Sequence, residues 1–199
     1  MDAAVKWGCG VHGPNTEELV RLAWDALPSR HRQLLTQIHA WQWEIVSEGL
    51  GHSVANRLVS AGCPALDSAQ IAADDKALGM WVPELRLLLI NEAHPELAGA
   101  DATTREALVM WIAWHEWGHA LSITSVSPHD PGEGARLLAM APAGVRERIR
   151  RGGYARPQYI HELIAETYAL VMRERIQGRP GQPLWLATEI YQLIARIGT

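Results

Sequence analysis

Several residue types are scarce or absent from this chain, and each absence removes a class of protein. There are only 2 cysteines, Cys9 and Cys63, so a disulfide framework is excluded. Lysine occurs only at Lys6 and Lys76 and the net charge is −4, which argues against a protein that wraps nucleic acid. Apolar runs are too short for a membrane span, and the N-terminus lacks the apolar core of a secretory signal. We therefore expect a cytoplasmic protein that binds neither nucleic acid nor membranes. Export by a route that uses no signal peptide is left open.

What the chain does contain is enough apolar volume for one core. Its 199 residues are 48% hydrophobic, and 9 tryptophans supply the aromatic volume while phenylalanine is absent. The length predicts a single domain. Residues 1–15 carry Gly, Pro and Asn and are predicted to form a loose arm. The domain then covers 16–199, with a helical N-terminal part at 16–61 and the functional core at 62–199.

Apolar spacing predicts mostly helices and a small sheet of two or three strands, which is an α+β fold. A tight turn at Pro83-Glu84 predicts a β-hairpin. Helices are expected over 17–27, 29–48, 53–60, 103–121, 134–140, 142–151, 158–177 and 184–197, and strands over 69–73, 77–82 and 85–90. Thr103 or Thr104 is expected to cap the helix at 103–121.

The sharpest motif is His115-Glu116-Trp117-Gly118-His119, an HExxH pattern inside a predicted helix. Residues four apart lie on one helix face, so both imidazoles can converge on one tetrahedral zinc ion. Glu116 lies beside the first histidine and can take a proton from a zinc-activated water. The alternative is a pair of buried core histidines without a metal.

A catalytic zinc needs a third protein ligand and one open position. Glu162 and Glu166 lie four apart in a largely apolar predicted helix, so they are expected to face something specific rather than solvent. One of them can bind the metal while the other holds a ligand imidazole by its free N–H.

HExxH followed by a glutamate on a second helix resembles the gluzincin class of zinc metallopeptidases. Ser122 and Ser125 stand where a metzincin needs Gly and His, which argues against that class. The segment YARPQYIHELIAETYA, residues 154–169, is similar to the anthrax lethal factor and Pro-Pro endopeptidase families. ImmA/IrrE-like peptidases are the nearest competitor. The resemblance implies a zincin-like fold, one Zn²⁺ per chain, Glu162 as third ligand and Glu166 as the carboxylate behind the ligands.

The resemblance also implies a tyrosine that stabilises the oxyanion. That role falls on Tyr154, with Tyr159 as the substitute candidate, while Tyr168 is expected to pack in the core. Trp114 and Trp117 are expected to pack behind the ligands.

In gluzincins an edge strand beside the active helix pairs with extended substrate, which gives affinity through main-chain bonds. The predicted strand at 85–90 is the candidate, so Leu87, Leu88 and Leu89 are assigned to substrate binding. An ordinary sheet edge is the alternative.

Weaker signals have plainer explanations. Cys9 and His12 are spaced like half of a metal site, but an unpaired thiol on an arm is the simpler interpretation. His129 falls in a predicted loop, and His161 is expected to point away from Glu162. An arginine run at 146–156 is more typical of a solvated helix end than of a binding patch.

The sequence as a whole predicts a zinc metallopeptidase acting on a peptide or protein. One alternative is an intracellular protease dedicated to a single protein partner. Another is a zinc-holding binding module without activity, which would need a fourth protein ligand from Cys9, His12 or His129. Substrate identity and oligomeric state are left open.

Overall fold

The computed structural model describes residues 14–125, 138–141, 143–151 and 159–178. They form a helix-dominated α+β fold around one small sheet, which confirms the predicted fold class. The helices are α1 (Thr16–Asp25), α2 (Ser29–Gln37), α3 (Leu50–Ser60), α4 (Ser68–Asp74), α5 (Pro95–Ala98), α6 (Ala102–Ser125), α7 (Ala143–Arg151) and α8 (Tyr159–Ile176). The strands are β1 (Gln42–Val46), β2 (Gly79–Val82) and β3 (Leu87–Asn91).

The helix starts follow local hydrogen bonding. Asn15 and Glu18 form a reciprocal capping box at α1. At α6 the capping side chain is Asp101, which accepts a bond from the Thr104 N–H at 2.9 Å. The predicted cap at Thr103 or Thr104 is therefore wrong, because the aspartate lies at the position that can reach the third N–H of the helix.

The predicted helix over 29–48 is wrong in its second half. Helix α2 ends at Gln37, and His39 follows with φ 60°, a left-handed conformation that turns the chain away. Residues Gln42–Val46 then form β1, which pairs in parallel with β3. The N-terminal part at 16–61 is thus not all helical, because it supplies one strand of the sheet.

The β-hairpin is confirmed, but its place in the sheet differs from expectation. The strand order is β1-β3-β2, with β2 antiparallel to β3. Strand β3 is therefore central, and Leu87, Leu88 and Leu89 have strand partners on both sides. The assignment of these leucines to an edge that pairs with substrate is wrong, because a central strand has no free backbone edge. The edge next to α6 is β2.

The predicted strand at 69–73 is also wrong, because these residues belong to helix α4. Asp67 caps that helix by accepting a bond from the Gln70 N–H. The apolar pattern over these five residues fits a strand as well as a helix, and the Asp67 cap favours the helix.

Two apolar clusters lie on either side of the sheet. The larger one joins α1, α6 and α8 and contains Trp114 and Trp117, both buried as predicted. The smaller one joins α3 to the hairpin through Leu50, Val54 and Val82. Tyr168 is 1% exposed within the larger cluster, which confirms its predicted place in the core.

Some predictions fall outside the described residues. They are the predicted N-terminal arm apart from residues 14 and 15, the predicted loop at 125–134 apart from residue 125, and the predicted helix at 184–197. Cys9, His12, His129 and Tyr154 lie there as well. Among the described helices, none combines the length and the apolar character that crossing a bilayer requires.

Candidate metal centre

The two histidines of the HExxH motif face each other on α6. Their Nε2 atoms lie 3.1 Å apart, and the rings meet edge to face with centroids separated by 4.7 Å. The four-residue spacing puts both rings on one face of the helix, as the motif predicts.

Glu162 on α8 completes the group. One carboxylate oxygen lies 3.6 Å from His115 Nε2, and the other lies 3.4 Å from His119 Nε2. Ligand atoms at 2.0–2.1 Å from a tetrahedral ion would be about 3.3–3.4 Å apart. The three side chains therefore form a group that could hold a metal ion. Two imidazoles and one carboxylate also suit zinc chemically.

Gly118 lets α8 come close enough for Glu162 to reach the histidines. A Cβ at this position would lie 2.8 Å from the Ala165 Cα and 3.2 Å from the Tyr168 Cβ. No side chain fits in that space without moving the helix backbones apart. The residue inside the HExxH motif is thus the point where α6 and α8 touch.

Glu116 lies on the side of α6 that faces the sheet. It is 7% exposed, and its Oε2 accepts a hydrogen bond from the Trp81 backbone N–H at 2.8 Å. Burial raises the pKa of Glu116 to about 7, even though the His115 charge and the Trp81 N–H favour the carboxylate. A carboxylate with this pKa suits proton transfer near neutral pH.

Strand β2 approaches Glu116 closely because residue 79 is a glycine. A Cβ at Gly79 would lie 2.3 Å from the Ile112 Cγ2 and 3.4 Å from the Glu116 Cγ. Sequence reasoning missed both Gly79 and the Trp81 N–H. The glycine was the available signal, since a glycine inside a strand marks a close approach.

The two histidines respond differently to their surroundings. Burial opposes the charged form of His115, but Glu162 hydrogen bonding and three nearby carboxylates raise its pKa to about 9. Burial and the His115 charge lower the pKa of His119 to about 4. The group thus concentrates negative charge around paired imidazoles, which favours a bound cation.

The remaining predicted site residues have different outcomes. Glu166 is 9% exposed, lines the same cavity as Glu162 and carries a charge that raises the pKa of His115. Its predicted hydrogen bond to a ligand imidazole stays a prediction. Tyr154 lies outside the described residues, and of Tyr159 only the backbone, at the start of α8, is described.

His161 is not a member of the ligand group, as predicted. Its Nδ1 lies 3.2 Å from the Ser122 Oγ, while the Ser122 hydroxyl donates to the His119 carbonyl at 2.8 Å. Because the hydroxyl proton is engaged, the serine oxygen accepts from His161. This chain of bonds joins the last turns of α6 to α8.

A cavity of about 330 Å³ opens beside His115 and Glu162 of the candidate metal group. Its walls combine Glu116, Glu162 and Glu166 with apolar side chains of α6 and α7, among them Ile112 and Ile149. The cavity thus has a polar end and an apolar wall, which is the usual construction of a small ligand site.

The described arginines of the basic run are solvated or structural. Arg146 donates to the carbonyls of Ala139 and Ala141, and Arg151 pairs with Glu147 on the surface. For these two arginines, the structure therefore favours the predicted helix end over a binding patch.

Comparisons of the chain with known proteins found no match. No family model, no curated protein and no solved structure matches the chain. The gluzincin resemblance therefore depends on the motif residues alone.

Proposed function

We propose that the protein is a zinc-dependent metallopeptidase of the gluzincin type that hydrolyses peptide bonds. The observation that carries this proposal is the convergence of His115, His119 and Glu162, with Glu116 buried beside them. Neither a core histidine pair nor a purely structural site needs this second carboxylate.

His115, His119 and Glu162 would hold the ion through two nitrogens and one carboxylate. Zinc bound there supplies Lewis acidity, which polarises the scissile carbonyl and acidifies a water molecule. The three protein ligands leave room for the open position that a catalytic site requires.

Glu116 carries the proton in this proposal. Its carboxylate takes a proton from the attacking water and returns it to the leaving amine. The Trp81 N–H stabilises the carboxylate and fixes its direction. Burial of Glu116 favours its uptake of the proton, because it disfavours the charged carboxylate. The oxyanion role of Tyr154 stays a prediction from the resemblance.

Strand β2 replaces β3 as the proposed substrate-binding edge. The Asn91 N–H donates to the Leu78 carbonyl across the hairpin, so the backbone groups of Gly79 and Trp81, which have the opposite parity, point away from β3. The Trp81 N–H already donates to Glu116, so an added peptide would pair with the backbone of Gly79 and with the Trp81 carbonyl. An extended peptide added to that edge would place its carbonyl close to Glu116. The apolar wall of the 330 Å³ cavity then favours an apolar side chain next to the cleaved bond.

Substitution of Glu116 tests the proposal most directly. Wild type and Glu116→Gln are compared for zinc content and for cleavage of a diverse peptide library. We expect one zinc per chain in both, and at least a ~100-fold lower cleavage rate in the variant. Glu106→Gln on the same helix, away from the metal group, is the matched control and should cleave like wild type.

Two results would overturn the proposal. Wild type that holds no zinc after reconstitution would remove the metal site. Zinc-loaded wild type that cleaves no peptide would leave the dedicated-partner protease and the binding module as the better interpretations.

A further inference from the structure

Glu162 lies in a part of α8 that the helix itself holds weakly. The helix begins at Tyr159, so Glu162 belongs to its first turn. The first four N–H groups of a helix have no partner within it, and helix ends fray. The Glu162 carboxylate must nevertheless stay 3.6 and 3.4 Å from two imidazole nitrogens. A ligand in this position therefore needs support from outside its own helix.

That support is available from Ser122, which is fully buried in the last turns of α6. Its hydroxyl donates to the His119 carbonyl at 2.8 Å, and its oxygen accepts from the His161 Nδ1 at 3.2 Å. His161 directly precedes Glu162. One hydroxyl thus connects a residue that carries one candidate ligand to the neighbour of another. We refer to Ser122, His161 and the two bonds between the helices as the Ser122–His161 tether.

The tether is the second close contact between α6 and α8, after the one at Gly118 and Ala165. Ser122 lies four positions after Gly118, and His161 lies four positions before Ala165. The helices therefore pass each other in opposite directions, with contacts about 6 Å apart at the rise of an α-helix. Two helices that touch at one point can still turn about it, whereas a second contact fixes their crossing angle.

The candidate ligands lie between these two contacts. His119 lies between them on α6, and Glu162 lies between them on α8. The Gly118 contact sets how closely the helices approach, and the tether sets how they are turned. A metal site requires its ligand distances to within about 0.2 Å, so a small turn of α8 would move Glu162 out of range.

We propose that Ser122 is a positioning residue of the metal centre, which acts by holding His161 and thereby the first turn of α8. It does not touch the metal or the substrate. This proposal rests on the proposed function, because it takes His119 and Glu162 as metal ligands.

A second buried hydroxyl provides the matched control. Thr167 on α8 is fully buried, and its hydroxyl donates to the Leu163 carbonyl of the same helix at 2.6 Å. Ser122 and Thr167 therefore make the same kind of bond to a helix carbonyl, but only the Ser122 bond is extended to another helix by His161. Thr167→Val removes a buried hydroxyl without touching the tether.

Zinc affinity, measured by competition with a chromophoric chelator, tests the proposal. Ser122→Ala and His161→Leu each remove the bond between the helices. We expect both to bind zinc about tenfold more weakly than wild type, at the lower end of what partners behind metal ligands contribute. The double variant should bind no more weakly than the weaker single variant, because both changes remove the same bond. His161→Asn and Thr167→Val should bind like wild type, since the asparagine amide supplies an N–H in place of the Nδ1–H.

The visible absorption of bound Co²⁺ gives a readout that a purely structural bond would not change. The spectrum depends on the number and the symmetry of the ligands. We expect an altered spectrum in Co²⁺-loaded Ser122→Ala, because Glu162 moves relative to His119. His161→Asn and Thr167→Val should keep the wild-type spectrum.

The outcomes separate this proposal from the peptidase proposal. An unchanged affinity and spectrum in Ser122→Ala and His161→Leu overturns the tether alone, and so does an equal loss in Thr167→Val. If Ser122→Ala does not fold, the comparison of His161→Leu with His161→Asn decides in the same way. Weakened metal binding in variants of a wild type that cleaves no peptide supports the tether and overturns the peptidase. A wild type that binds neither zinc nor Co²⁺ overturns both.

Discussion

The two sides of α6 are built differently, although both depend on a glycine. On the side of α8, Gly118 allows two helix backbones to touch, and the contact brings Glu162 to the histidines. On the side of β2, Gly79 allows a strand to approach, and the contact places an N–H against Glu116. The candidate metal group and the proposed proton carrier Glu116 are therefore completed by different neighbours of one helix.

The two contacts also differ in how far the contacting atoms can move when a side chain is added. An added Cβ at Gly118 would meet the backbone of Ala165, which cannot move without the whole helix. An added Cβ at Gly79 would meet the Cγ2 methyl of Ile112, which χ1 rotation can move, and a cavity lies next to it. A substitution at Gly118 should therefore displace the whole of α8 relative to α6, whereas a substitution at Gly79 should displace only nearby atoms.

The largest effect is expected from Gly118→Ala. The added methyl separates α6 from α8, so we expect about 3 kcal/mol lower stability to urea unfolding and at least a ~10-fold weaker zinc affinity. Gly144→Ala is the control, because a Cβ there has nothing within 4 Å. Normal stability and zinc binding in Gly118→Ala would show that the helices are not held together at this point.

Glu162→Gln should remove metal binding without opening the helix contact. Loss of one charged ligand should weaken zinc affinity at least ~100-fold, since even partners behind the ligands are worth 10–100-fold. The measurement is competition with a chromophoric chelator, with Glu174→Gln further along α8 as control. Unchanged affinity would exclude Glu162 as a ligand.

Gly79→Ala should affect the other half alone. Displacement of β2 from Glu116 should reduce the cleavage rate about tenfold at unchanged zinc content and cost about 1 kcal/mol of stability. Adding Ile112→Ala makes room for the new methyl and should restore part of the rate, which a double-mutant cycle measures. Loss of zinc in the single variant would show that the two halves are not separable.

Tyr168→Phe should produce the smallest effect. It removes the hydroxyl that lies 2.8 Å from His31 Nδ1, a bond between α2 and α8. We expect about 1 kcal/mol lower stability and unchanged zinc affinity, because the bond lies outside the ligand group. A change in zinc affinity with stability preserved would contradict this purely structural role.

The parts of the site that were predictable from the sequence are those set by local spacing. His115 and His119 share a face through the geometry of a single helix, and Glu162 followed from the resemblance to gluzincins. The reach of Glu162 to the histidines depends on contact between Gly118 and Ala165, residues far apart in sequence. Nothing in the HExxH spacing alone indicates that contact.

The sheet was harder to predict because its pairing is non-local. Trp41 and Ile45 fit a helical period as well as a strand, and the partner of β1 lies some forty residues later in the chain. Because β1 was missed, β3 looked like an edge, and a substrate-binding edge was predicted for a strand that is central in the sheet. One unrecognised strand thus changed a functional assignment elsewhere.

The bond from Trp81 to Glu116 is donated by the main chain, and this has a consequence for how the site tolerates mutation. Every residue except proline carries the same N–H, so nearly all substitutions at position 81 retain the donor. Substitution of Trp81 by alanine would therefore not remove this hydrogen bond, and neither would replacement of the indole by another side chain. The N–H that orients Glu116, the proposed proton carrier, therefore depends on the path of the chain and not on which side chain occupies position 81.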